Sequence, residues 1–186
     1  MQTILNTPDD PAHDSLVEKK SEFIGDAAHV DTLDEALAFV AAIREQHPKA
    51  RHVAYAAVCG GADGRLSERM SDDGEPSGTA GKPILDVLKQ SGTTDCVVAV
   101  TRYFGGILLG SGGLVRAYSS AASLAMKAAR AARIMTAKRY RVRLEYPQLA
   151  RFQQILAQLG GSQEDESYAV NVELTAVVPQ DDCARF

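Results

Sequence analysis

Apolar and polar positions follow two rhythms along this chain, and the changes of rhythm mark its elements. Over residues 51–59, His52, Ala54, Ala56 and Val58 alternate with Val53, Tyr55 and Ala57, the period of a strand. Residues 96–104 open on an unbroken apolar run, Cys96 to Val100, which predicts a buried central strand. Residues 15–30 read as two short strands or a hairpin anchored by Phe23 and Ile24, and residues 65–70 as one more short strand. Helical spacing appears over 32–46, where Leu33, Leu37 and Val40 share a face, Thr32 can cap the start with Glu35, and His47-Pro48 stops the helix. It returns over 82–90 with Ile84, Leu85 and Leu88, and over 114–132 in a long Ala-rich stretch whose small side chains suit close packing on a sheet.

A second unit begins near Ile134. Residues 139–146 predict a strand with Tyr140, Val142, Leu144 and Tyr146 inward and Arg139, Arg141 and Arg143 outward. Pro147 suits the first helical position, Leu149, Phe152, Leu156 and Leu159 form a stripe, and Gly160-Gly161 ends it. Residues 170–178 alternate again. Strand, helix, then one or two strands is most of a ferredoxin-like unit. A further helix, starting at Asp181-Asp182, and an edge strand are expected to follow Phe186. The domain reading is a flexible arm over 1–14, a larger domain over 15–133 and a small domain over 134–186 that is incomplete. The fold class is α+β: a larger two-layer α/β domain plus a small ferredoxin-like one.

Composition narrows the setting. The 186 residues are 45% hydrophobic and 24% charged, typical of a globular protein. No apolar run is long enough to span a membrane, and the N-terminus lacks the basic and apolar regions of a signal peptide. Cys59, Cys96 and Cys183 are widely spaced and odd in number, so they read as reduced thiols of a cytoplasmic protein. The net charge of −4 hides an asymmetry: residues 96–144 carry nine bases and no acid, in Arg102, Arg116, Lys127, Arg130, Arg133, Lys138, Arg139, Arg141 and Arg143. Such a one-sided block can attract an anionic partner.

Two glycine-rich loops hold the candidate chemistry. The first, residues 71–83, carries Asp72, Asp73, Glu75, Ser77, Thr79 and Lys82. It fails as a phosphate-binding P-loop because Pro76 stands where the motif needs glycine and Pro83 where it needs serine or threonine. Its three carboxylates could bind Mg²⁺, yet no adjacent ligand set accompanies them, and a turn built from Asp-Gly is the favoured reading. The second, residues 101–118, runs from a strand through Gly105, Gly106, Gly110, Gly112 and Gly113 into a helix. Backbone amides there can hold an anion flanked by Arg102 and Arg116; alternatively the glycines permit tight packing. The dinucleotide fingerprint fails because Val115 takes its last glycine position. The histidines, His13, His29, His47 and His52, have no metal-ligand spacing, and Ser77 and Ser111 have no visible base. No metal, cofactor or catalytic residue is assigned.

Lys20-Ser21-Glu22-Phe23-Ile24, His52 with Tyr55-Ala56, the whole of 71–83, and 102–118 from Arg102-Tyr103-Phe104-Gly105-Gly106 to Arg116-Ala117-Tyr118 together resemble the YigZ/IMPACT family. Val53 departs from it, where many members carry a polar residue. The resemblance implies a first domain like the second domain of a small-subunit ribosomal protein and a second like the ferredoxin-like modules of elongation factor G. Eukaryotic relatives inhibit the amino-acid-starvation kinase by competing for its activator, using an additional N-terminal domain. Only a short segment precedes Ser15, so that partner is not expected here. The expectation is a non-enzymatic translation-linked regulator that binds RNA, the ribosome or a translation factor. The alternative is an enzyme on a small phosphorylated or carboxylated substrate, with Asp72, Asp73 or Glu75 as acid or base. A third class is a protein-interaction module using the small domain's sheet.

Overall fold

A computed structural model describes residues 1–60 and 64–186; most of the turn expected at 60–64 lies outside them. The chain divides into two compact units, Met1–Arg133 and Ile134–Phe186.

In the first unit a five-stranded antiparallel sheet is built from β2 (Ala12–Glu18), β3 (Ser21–His29), β4 (His52–Gly60), β5 (Leu66–Ser71) and β6 (Cys96–Tyr103), in the order β2-β3-β6-β4-β5. The apolar run of β6 sits at its centre. Cys96, Val98 and Val100 pack with α2 (Gly81–Ser91) and α3 (Ser111–Ala128) on one face. Val97 and Ala99 pack with α1 (Leu33–Gln46) on the other. A strand buried on both sides needs no polar alternation, which is why its sequence shows none. The two expected layers are present, and α1 adds a third across the sheet.

Thr32 accepts a hydrogen bond from the Glu35 amide at 3.2 Å, while the Glu35 carboxylate reaches back to the Asp31 amide at 2.9 Å. The buried stripe of α1 is Ala36, Phe39, Val40 and Ile43, with Leu33 and Leu37 only flanking it. The helical face is thus turned from the expected one, because Phe39 is the largest apolar group available to the core. In α3 the small residues Ala117, Ala121, Ala122 and Ala125 are buried. A Cβ on Gly25 of β3 would lie 2.6 Å from the Ala121 carbonyl oxygen, so helix and sheet approach more closely than a side chain allows.

Two expectations are corrected here. The arm is not loose: β1 (Gln2–Ile4) pairs with β7 (Ala131–Arg133), Ile4 is buried, and Asn6 holds the Arg130 amide through its side chain and the His29 amide through its carbonyl. That pairing also ends α3 at Ala128 rather than at residue 132, because the strand partner takes the backbone bonds that further helix would use.

The second unit contains β8 (Ala137–Leu144), α4 (Tyr146–Gln158), β9 (Ser162–Tyr168) and β10 (Val172–Pro179), with strand order β8-β10-β9. β10 is antiparallel to both neighbours, so β8 and β9 run parallel with β10 inserted between them. This is the split β-α-β arrangement of ferredoxin-like folds, and the protein as a whole is α+β. A capping box between Glu145 and Gln148 starts α4, with Pro147 in its first turn. Leu156, Val172, Leu174, Ala176 and Val178 form the core, and Phe186 packs near Tyr140 and Phe152 at ring distances of 5.1 and 5.9 Å. Tyr146 and Val170, expected inside, are exposed: Tyr146 opens α4, and Val170 precedes β10 in the turn from β9.

Candidate functional site

Strand pairing brings the two glycine-rich loops to one end of the larger sheet. β4 begins opposite the end of β6, with His52 across from Arg102, and β5 ends at Ser71 opposite Tyr55. The loops that follow β5 and β6 therefore leave the sheet side by side.

Within the first loop each carboxylate is held by the fold. Asp72 accepts from the amides of Gly78, Ala80 and Gly81 at 2.8, 3.0 and 2.8 Å. Burial alone would raise its carboxyl, but these amides outweigh it and hold the pKa below the ordinary carboxylate value. Asp73 accepts from the Val53 amide at 2.7 Å and pairs with Arg44 at 2.6 Å. Glu75 is buried and receives both Arg102 at 2.6 Å and the Tyr118 hydroxyl at 2.8 Å through one oxygen, Oε1. Burial, and then the neighbouring Glu75, push the Tyr118 phenol well above its ordinary value. The Thr79 hydroxyl donates to the Pro76 carbonyl at 2.6 Å, Lys82 pairs with Asp86 on its own helix, and Ser77 is exposed.

The glycines of the second loop are used in several ways. A Cβ on Gly105 would lie 1.9 Å from the Lys20 carbonyl oxygen, and one on Gly113 would lie 2.9 Å from the Leu109 Cβ. Gly106 and Gly110 adopt left-handed φ of 85° and 74°. Packing and conformation thus account for these four, while Gly112 meets only the Arg116 side chain. The Gly105 amide donates to the Ser21 hydroxyl at 3.1 Å. This ties the loop to the β2–β3 hairpin, whose turn residues Lys19 and Lys20 are both left-handed.

Arg102 and Arg116 do not flank one anion site. Arg102 lies buried against Glu75, with its guanidinium carbon 5.4 Å from the Phe23 ring centre and 5.5 Å from that of Phe104. It lines a cavity of about 230 Å³ together with Arg51, His52, Glu75, Phe104 and Leu108. Arg116 lines a separate groove of about 420 Å³ between β2 and α3, beside Leu16, Lys19, Leu109 and Gly113. His52 approaches the Asp73 carbonyl oxygen at 2.7 Å through Nδ1. A carbonyl can only accept, so Nδ1 carries the proton and a neutral ring leaves Nε2 as an acceptor. Arg51 and Leu108 escaped sequence reasoning: neither belongs to a periodic pattern, and only the fold brings them to Glu75.

The basic block is divided as well. Arg102 and Arg130 have acidic partners in the first unit, Glu75 and Asp10. On the outer face of the small sheet Arg139 pairs with Glu164 at 3.2 Å and Arg143 lies 3.7 Å from Glu173, with Arg141 exposed opposite Thr175. Acids remote in sequence return to that face, so Arg139 and Arg143 do not stand there as unopposed charges.

Among the described residues no group of histidines, cysteines and acids could hold a metal ion, and no helix is long and apolar enough to cross a membrane. Burial, with Asp95 nearby, pushes the Cys59 thiol up to about 11, and burial raises that of Cys96 further.

Residues 19–126 match the Impact N-terminal domain, and residues 142–186 match a domain of unknown function, DUF1949. The chain belongs to the IMPACT family. It is 41% identical over 168 residues to the IMPACT family member YigZ of Escherichia coli (strain K12), covering 90% of this chain and 82% of that protein. With the IMPACT family member YvyE of Bacillus subtilis (strain 168) it shares 48% identity over 111 residues, 60% of this chain and 50% of the other. A crystal structure of a hypothetical protein superposes with a TM-score of 0.68 at 38% identity, covering 99% of this chain and 87% of that one. The match to the Impact N-terminal domain spans both loops that enclose the Glu75–Arg102 pair.

Proposed function

We propose that this IMPACT family chain is a non-enzymatic, cytoplasmic regulator linked to translation, and that it acts by binding RNA, free or on the ribosome. One observation carries the choice of binder over enzyme: the three loop carboxylates are all committed to structure. Asp72 serves backbone amides, Asp73 serves a strand amide and Arg44, and Glu75 serves Arg102 and Tyr118. A general acid or base must exchange its proton with substrate, and groups held in this way rather build a rigid surface. The exposed tip Phe104, Ile107 and Leu108 stands on that surface, and exposed apolar groups beside cations suit a binding face.

The test is a salt titration of RNA binding beside a thermal-shift screen of ribosomes and phosphorylated metabolites. Affinity for RNA that falls steeply with salt supports the reading. Stabilisation and turnover of a small phosphorylated compound, with no RNA bound, would transfer the site to the enzyme alternative. Replacing Arg139, Arg141 and Arg143 by Gln should lower affinity and flatten the salt slope by up to about 0.7–0.9 per lost contact, because it removes three positive charges and leaves Glu164 and Glu173 unopposed.

A further inference from the structure

We infer that the cavity between the two motif loops is a single-nucleotide subsite, which takes one unstacked base and its phosphate from a single RNA strand. This rests on the RNA-binding reading and names its point of contact. Phe104 is 50% exposed although it is apolar, and Leu108 beside it is 81% exposed. One side of the Phe104 ring covers the Arg102 guanidinium, and the ring also borders the cavity of about 230 Å³. Aromatic rings held at the mouth of a cationic cavity are the platform on which bases stack.

The polar groups of the cavity match the rest of a nucleotide. Arg51 is exposed at its rim, free of the burial that holds Arg102 to Glu75, and can meet a phosphate. Among the described residues the buried Nε of Arg102 has no hydrogen-bond partner, although the residue is only 7% exposed. An unpaired donor of a buried cation is costly, and an acceptor on a base edge or phosphate would satisfy it. His52 adds Nε2, an acceptor in the neutral ring, and Glu75 adds a carboxylate of which, among the described residues, one oxygen has hydrogen-bond partners. Donors, acceptors and an aromatic face in one small concavity suit a heterocycle with its phosphate better than a bare anion. A concave site reaches a base face only where the strand is unpaired.

The test is fluorescence anisotropy with labelled single-stranded RNA of about 12 nucleotides, within the site size of such grooves, against duplex RNA of the same sequence. Free mononucleotides serve as competitors. The wild type should bind the single strand in preference to the duplex. Phe104→Ala should weaken binding roughly 5- to 140-fold, the loss of one stacked base, and Phe104→Trp should restore it. Arg51→Gln should reduce the salt slope by about 0.7. Far-UV circular dichroism should be unchanged in all three variants, since both side chains lie at the surface. Mononucleotides that compete as well as the strand would place the same chemistry in a free-nucleotide site and overturn the RNA assignment. Equal binding of duplex, or wild-type affinity in both Phe104→Ala and Arg51→Gln, overturns the subsite and leaves the RNA reading standing. A wild type that binds ribosomal or factor protein but no RNA overturns both.

Discussion

Substituting Glu75 by Gln isolates the buried charge at the centre of the site. The variant keeps an acceptor for Tyr118 and nearly the same volume, but leaves Arg102 buried without a counter-charge. Removing one partner of a buried ion pair costs about 3–5 kcal/mol, and the retained acceptor recovers about 1 kcal/mol of that. The expected loss is therefore about 3 kcal/mol, or roughly 9 °C in Tm for a chain of this size. Tyr118→Phe leaves the ion pair intact and should cost only about 1 kcal/mol. The double variant Glu75→Leu, Arg102→Met removes both charges from one buried place and should return to within about 2 kcal/mol of wild type, because well-packed apolar pairs replace buried ion pairs at little net cost. Urea melts followed by circular dichroism measure these three variants and the single changes Glu75→Leu and Arg102→Met. Glu75→Gln within about 1 kcal/mol of wild type, or a double variant as unstable as the sum of the two single changes, would refute the view that this pair is a buried, desolvated unit.

Asp72→Ala should destabilise by about 2 kcal/mol through loss of charge-assisted bonds to three amides. Because the folded pKa of Asp72 is lowered from its ordinary value of 3.8, its contribution should be fully present above about pH 4 and fade as pH falls through the folded value; stability of both proteins measured from pH 7 to pH 2 checks the sign. Gly105→Ala would place a carbon against the Lys20 backbone and should cost about 3 kcal/mol or more, seen as a large fall in Tm. Native alkylation near pH 8, where an ordinary thiol is partly ionised, should spare Cys59 and Cys96, whose pKa values are raised by burial; intact mass should show modification at Cys183 at most, and three adducts only after denaturation. Replacing Lys19-Lys20 by Asn-Gly should stabilise by about 1 kcal/mol, because both positions are left-handed.

Local signals determined much of this protein. Thr32 with Glu35 marked a helix start, Pro147 and Gly160-Gly161 bracketed another helix, and the run Cys96 to Val100 marked the central strand. These depend on residues within a few positions of each other, where propensity, capping and periodicity act. Contacts between remote segments decided the rest. Gln2–Ile4 became a strand because Ala131–Arg133 lies beside it; nothing in three residues announces a partner more than a hundred positions away. Arg102, read as a free anion clamp, was taken by Glu75 and two aromatic rings, and the arginine run of β8 met Glu164 and Glu173 from its sheet neighbours. Charge counted along a chain adds like neighbours, whereas charge in a fold is set by cross-strand neighbours. The gathering of Arg51, His52, Phe104 and Leu108 around one cavity required the antiparallel register of β4 and β6.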